Sequence, residues 1–269
     1  MFKNIVTVTK EIWENRRRAY NLAKYSLKAE YGETLFGFFW NFFNPALQVL
    51  VYWFVFAIGL KHGAPKGEYS YLIWLVVGVV PWFSTSGGIR GGATSIISFS
   101  NVLKRMYFPM AAVPFKAVLT SIIEMFWGML LTIAFCLVSG VSLSLTYLQI
   151  PYYMLCTMCL LTALAYITSS ISIVFRDFVT ILTAIIRLLF YTTPILWSVD
   201  KIDNPTLLFI MKLNPFKYIC DGFRNSILYP SWFWEHPAAT AYFWILTIVL
   251  YILGCQIHIR LRKGFTDLI

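Results

Sequence analysis

The chain has 269 residues, of which 59% are hydrophobic and 13% charged, and its mean hydropathy is +0.68. Soluble globular chains carry about 25% charged residues, so the composition excludes an ordinary water-soluble domain and predicts a polytopic membrane protein. The net charge of +10, from 22 Lys+Arg against 12 Asp+Glu, would suggest nucleic acid for a soluble chain. Here the basic residues cluster at the edges of apolar runs, where they set topology and attract anionic lipid head groups, and no nucleic-acid partner is expected.

Residues 1–34 read as an N-terminal cytoplasmic amphipathic segment. Ile5, Val8, Ile12, Tyr20, Ala23 and Leu27 recur at roughly helical spacing, with Arg16, Arg17, Arg18, Lys24 and Lys28 among and beside them. That pattern predicts a helix lying in the membrane interface, apolar side down and basic side toward phosphates. The alternative is a solvated basic leader, because the periodicity breaks at Arg16. The segment lacks the short apolar core and small-residue cleavage site of a signal peptide.

Residues 35–269 read as a six-span transmembrane domain. A hydrocarbon core about 30 Å thick takes about 20 apolar residues per helix. Six segments reach that length: about 35–60, 70–92, 111–139, 147–174, 178–198 and 240–259. The expected fold is therefore an all-α integral membrane protein with six transmembrane helices and the N-terminal interface helix. At the end of the second span, GGIRGGA (87–93) pairs Gly87 with Gly91 and Gly88 with Gly92. Four-residue spacing of glycines in an apolar run predicts close helix packing or local bending rather than phosphate binding.

The next link, SNVLKRMYFPMAAVPFK (100–116), is broken by Pro109 and Pro114 and carries Lys104-Arg105. The prolines end one helix and start another, and the basic pair anchors the break at the water interface. Its ten mixed residues exceed what a turn needs, which predicts a docking surface. Cys156-Thr-Met-Cys159 has metal or redox spacing, but it sits in an apolar run without a second pair. The segment 199–239 is long for a loop. Its apolar pieces LLFIMKL (207–213) and SWFW (231–234) are shorter than a span. Residues 204–230 therefore read as two short re-entrant helices broken at Asn214-Pro215, the alternative being an exposed loop with hydrophobic anchors.

Charge asymmetry orients the spans. The basic leader, Lys104-Arg105, Arg176 and the tail Arg260-Leu-Arg-Lys263 fall on one side, which predicts cytoplasmic N- and C-termini. No G-x-x-x-x-G-K-[ST] occurs, and the three histidines form no metal-ligand spacing. No paired carboxylates stand ready as acid and base, so neither an enzyme nor a metal site is expected. The isolated ionisable residues are Arg90, Lys116, Glu124, Arg176, Asp177 and Arg187. Charges at membrane depth face a bundle interior or a watery cavity, and Glu124 with Arg187 is a candidate pair, within one chain or between two. The alternative is that Lys116 and Arg187 snorkel to the interface. Tyr52, Trp53, Trp74, Trp82, Phe83 and Trp127 are candidates to line a channel, since aromatic faces suit sugar rings; the alternative, which explains many such residues without any function, is an interface belt.

QVLVYWFVFAIGLKHG (48–63), YLIWLVVGVVPWF (71–83), NVLKRMYFPMAAVP (101–114), Arg176-Asp177-Phe178 and TPILWS (193–198) resemble the permease subunits of ABC-2-type exporters of cell-envelope polymers. The likeness is greatest to the wall teichoic acid translocation permeases; O-antigen and capsule exporters share the plan. The resemblance implies a homodimer in the bacterial plasma membrane, driven by two copies of a separate ATPase that holds ATP and Mg. It implies no cofactor on this chain and a polymer substrate carried on undecaprenyl diphosphate. It assigns ATPase coupling and gating to Arg16, Arg17, Arg18, Leu103, Lys104, Arg105, Tyr107, Arg176 and Asp177. Arg90 or Lys116 is expected near the lipid head group. An O-antigen or capsule permease, a secondary transporter and an envelope-synthesis enzyme are the alternatives.

Overall fold

The computed structural model describes residues 2–32, 39–59, 69–103, 108–175, 177–199 and 204–262, and no strand forms among them. Helix α1 spans Phe2–Gly32, α2 Trp40–Trp53, α3 Tyr71–Ser98, α4 Ser100–Leu103 and α5 Ala112–Val138. Then follow α6 (Ile150–Val174), α7 (Phe178–Thr192), α8 (Pro205–Lys212), α9 (Pro215–Ile227) and α10 (Pro237–Arg262). Among the described residues four runs are long and apolar enough to cross a membrane: α3, α5, Leu145–Val174 containing α6, and α10. Shorter apolar helices stand where the first and fifth spans are predicted: α2, continued by a π-helical turn over Phe54–Gly59, and α7.

Two boundaries differ from expectation for local reasons. Helix α7 ends at Thr192 instead of near 198, because Thr193 precedes Pro194 and takes an extended conformation with ψ 137°. Helix α3 runs on to Ser98, carrying the glycine cluster inside the helix. Only half of that cluster faces a neighbour. A Cβ on Gly88 would come within 2.6 Å of Leu161 Cδ1, and one on Gly92 within 2.8 Å of Ala165 Cβ. Gly87 has nothing within 4 Å. The close-packing expectation thus holds for Gly88/Gly92 against α6.

The centre of the fold is α3 packed along α5 and α6, with α10 along the other flank of α6. Helix α7 adds one stripe, Leu182, Ile186 and Phe190. These helices alternate in direction and define two poles. At one, Ile96, Val113 and Ile173 pack together with Leu261 near the end of α10. At the other, the starts of α3, α6 and α10 meet α9.

Helix α1 docks at the first pole against α5 and α10. Its inward stripe is Ile5, Val8, Ile12, Asn15, Ala19, Ala23 and Leu27, with Val8, Ala19 and Ala23 fully buried. The helix therefore continues through Arg16, where apolar periodicity lapses, because Asn15 and the small Ala19 occupy the stripe there. The Asn15 amide satisfies itself by donating to Glu11 O at 2.9 Å. Tyr20, expected on the apolar side, is exposed. The stripe faces α5 and α10 of the bundle.

Candidate functional site

The segment between α7 and α10 folds into the two short helices expected, broken at Asn214-Pro215. Each begins with an Asn cap followed by proline, a sequence preset for a helix start. Asn204 Oδ1 accepts from Thr206 N, and Asn214 Oδ1 accepts from Phe216 N, both at 2.9 Å. The Asn214 amide also donates to Thr193 Oγ1 at 2.7 Å, tying α9 to the corner after α7.

Helix α9 has no exposed residue, and Arg224, only 3% exposed, lies on the side that faces α3. Its guanidinium donates through Nη1 to Pro194 O at 2.8 Å and through Nη2 to Ile195 O at 2.7 Å. The flat group lies over Trp74 of α3, with Cζ 3.6 Å from the ring centroid, a cation–π arrangement. Gly78, one turn along α3, leaves the space: a Cβ there would sit 2.2 Å from Nη2. Tyr71 donates to Leu196 O at 2.5 Å, so three consecutive carbonyls of the proline corner are held from α3 and α9. Burial pushes the Arg224 pKa down from its ordinary value and Asp221, 3.8 Å away, pulls it back up. A buried cation with carbonyl and ring partners is rigidly placed, since breaking such an arrangement strands a charge.

The opposite side of α9 meets α6 and α10 through a polar aromatic chain. Tyr152 and Tyr218 hydroxyls lie 3.0 Å apart, Tyr218 reaches Thr240 Oγ1 at 3.0 Å, and Trp244 Nε1 donates to Tyr152 at 3.0 Å. Gln149 donates to Ser231 O at 2.7 Å and accepts from Phe233 N at 3.1 Å. Gly222 admits the Tyr153 ring, whose Cε1 would lie 2.0 Å from an added Cβ. Helix α9 is thus a wedge fixed to α3, α6 and α10 together.

The aromatics chosen from sequence divide by burial. Trp74 lies under Arg224, and Trp82 packs between Phe190 and Phe216, with centroids 5.9 and 5.5 Å away. Tyr52 tilts against Phe190 at 5.3 Å and receives a hydrogen bond from Gln48. Trp53 is half-buried, whereas Trp127 is exposed beside Phe126. Phe83 lines a cavity of about 520 Å³ between α2, α3 and α5, whose walls include Val49, Val76, Phe135 and Glu124.

Of the candidate charges, Arg90 and Arg187 are exposed and Lys116 is half-buried. No ion pair joins Glu124 to Arg187 within the chain, among the described residues. Arg16, Arg17 and Arg18 lie on the exposed side of α1, with Arg16 stacked over Trp13 at 4.2 Å. Asp177 is exposed ahead of α7. Leu103 ends α4, its side chain outside the described residues, as are Lys104, Arg105, Tyr107 and Arg176. Sequence reasoning missed Arg224. Its signal was available: an Arg three residues after Asp221 on one short helix, with Gly78 the only glycine in the apolar run 71–83 of a facing span.

Membrane-length helices of alternating direction, with both described ends of the chain at one pole and folded-back short helices at the other, define a multi-pass helical membrane protein. The chain belongs to the ABC-2 type transporter family, whose model matches residues 19–228, from within α1 to the end of α9. It is 26% identical over 233 residues to the O-antigen export system permease protein RfbA of Myxococcus xanthus, covering 86% of each chain. It is 25% identical over 244 residues to a protein of the same name from Klebsiella pneumoniae, covering 90% of this chain and 91% of that one.

Proposed function

We propose that this chain is the permease subunit of an ATP-driven exporter that moves a lipid-linked cell-envelope polysaccharide across the bacterial plasma membrane. The observation that carries the reading is the family match over 19–228, joined to near-full-length similarity with proteins named as O-antigen export permeases. In this reading α2 and α7 complete six crossings, and two copies of the chain line the channel. Two copies of a separate ATPase supply ATP and Mg chemistry, and no cofactor is held here. The pole bearing the basic residues of α1 and the end of α10 is cytoplasmic, in keeping with charge asymmetry. There Arg16–Arg18, the 100–110 link with Lys104, Arg105 and Tyr107, and Arg176-Asp177 are the surfaces for the ATPase.

A second reading, wall teichoic acid on undecaprenyl diphosphate, draws on the tryptophan-rich stretches 48–63 and 71–83. Of the six aromatics, Tyr52, Trp53, Phe83 and Trp127 keep surface in one protomer and are the ones available to polymer once a second copy docks. Depletion of the chain in its native cell is expected to remove one surface polymer and accumulate its lipid-linked form inside the membrane. A glycan without polyol phosphate in that pool would select the polysaccharide reading, and a polyol-phosphate chain the teichoic one. An unchanged lipid-linked pool would sink both.

A further inference from the structure

Where α1 meets the bundle, two polar contacts join opposite ends of the chain. Glu11 Oε1 accepts from Arg262 Nη1 at 2.6 Å, and Thr9 Oγ1 lies 3.0 Å from the Tyr251 hydroxyl. Beside them Val8 is buried with Ala111, Tyr166 and Cys255, and Ile5, Ile12 and Ile259 pack around that cluster. The ion pair is partly shielded, with the Arg262 side chain 26% and the Glu11 side chain 21% exposed. Glu11 Oε2 is buried without a hydrogen-bond partner among the described residues.

Apolar contact is non-directional. The stripe Ile5, Val8 and Ile12 would hold α1 against α10 yet let it slide or roll. A charge-assisted hydrogen bond has a direction and a length, so the register of α1 along α10 is set by Glu11–Arg262 and Thr9–Tyr251. Fully exposed ion pairs of this kind contribute little; this one is partly buried and backed by a second polar contact.

The connection then runs inward through rigid contacts. Gly254 brings α10 so close to α6 that an added Cβ would lie 2.9 Å from Ala163 O and 3.1 Å from Tyr166 Cβ. Buried His258 has Nδ1 3.1 Å from Ser170 Oγ of α6. Tyr166 donates to Ala111 O at 2.6 Å, at the residue that leads into α5. A displacement of α1 along its axis therefore loads α10, α6 and the start of α5 together.

We propose that Glu11 and Arg262 are positioning residues that make α1 a lever on the last span, passing ATPase-driven movement into α10 and α6 by a route separate from the 100–110 link. The proposal rests on the exporter reading above. Its test uses the complete exporter in proteoliposomes, with ATP hydrolysis and translocation of the native lipid-linked polymer measured separately. Glu11→Arg and Arg262→Glu are each expected to lower translocation per ATP about tenfold, in the range of coupling between linked sites, while the complex stays assembled and hydrolyses ATP. The double reversal E11R/R262E restores the ratio. Where a reversal fails to assemble, Glu11→Gln, which keeps shape and removes charge, supplies the same readout.

A purely structural role would lower assembly and hydrolysis together and leave translocation per ATP unchanged, which overturns the lever. Single variants with the unaltered ratio, or a double reversal as impaired as the singles, also overturn it. An unaltered complex that hydrolyses ATP but moves no lipid-linked polymer sinks the exporter reading instead, and the lever with it.

Discussion

Replacing Arg224 with alanine is expected to destabilise the protein by roughly 2–5 kcal/mol, the range for losing a buried hydrogen-bonded network and leaving a cavity. The guanidinium supplies the donors for Pro194 O and Ile195 O, and both carbonyls sit in a corner whose helix has already ended. Without Arg224 they have no helical donor to fall back on, and the space over Trp74 empties. Arg224→Lys keeps the charge but has no planar fork to serve two carbonyls and cover a ring at once, so it should recover only part of the loss. Thermal unfolding of the purified protein in a mild detergent would read all of this. A change within about 0.5 kcal/mol, as for an ordinary surface substitution, would mean that the corner is held by Tyr71 and Asn214 alone.

The same corner supplies an internal check. Gly78→Ala builds a methyl 2.2 Å from Nη2, 2.7 Å from Cζ and 2.9 Å from Nε of Arg224, all on one rigid plane pressed against Trp74. Neighbours that share a partner are non-additive. Gly78→Ala alone should therefore approach the loss caused by Arg224→Ala, but added to Arg224→Ala it should be nearly neutral, because the clashing group is gone. Simple addition of the two losses would show that Gly78 acts through something other than Arg224.

The parts of this fold that follow from a regular pattern were legible in the sequence. Long apolar runs gave α3, α5, α6 and α10, and the Asn-Pro pair at 214–215 gave the break between α8 and α9, since an Asn cap and a proline at the next position are local signals. What was not legible depends on tertiary partners. The stripe on α1 passes through Asn15 and Ala19, which carry no hydrophobic signal and are set inward only by α5 and α10. Segment 199–239 holds four basic residues, Arg224 among them, against four acidic ones, and nothing in that balance singles Arg224 out; it is internal because Gly78 and Trp74, more than a hundred residues earlier, shape a slot for it. Glu11 was likewise hidden among the arginines that follow it. In each case the residue's role is fixed by what lies across a helix interface, and one-dimensional spacing carries no record of that.

The four glycines of the 87–93 cluster test that distinction, because the sequence treats them alike and the structure does not. Gly87→Ala meets nothing within 4 Å and Gly91→Ala only Ala117 Cβ at 4.0 Å. Both should be neutral or stabilise by up to about 1 kcal/mol, as alanine is the better helix former. Gly88→Ala and Gly92→Ala face α6 and should destabilise by roughly 1–3 kcal/mol, as overpacking does. Their order also follows from what each methyl would strike. At Gly88 the nearest atom is Leu161 Cδ1, the end of a flexible side chain that can turn aside, although Ser121 at 3.2 Å limits the room. At Gly92 it is Ala165 Cβ at 2.8 Å with Cα at 3.2 Å behind it. A Cβ cannot rotate away from its own backbone, so relief requires α3 and α6 to part along their length. Gly92→Ala is therefore expected to be the most harmful of the four, measured as a loss of midpoint in detergent-denaturation of the purified protein. Four equal midpoints would mean that α3 and α6 are not in close backbone contact.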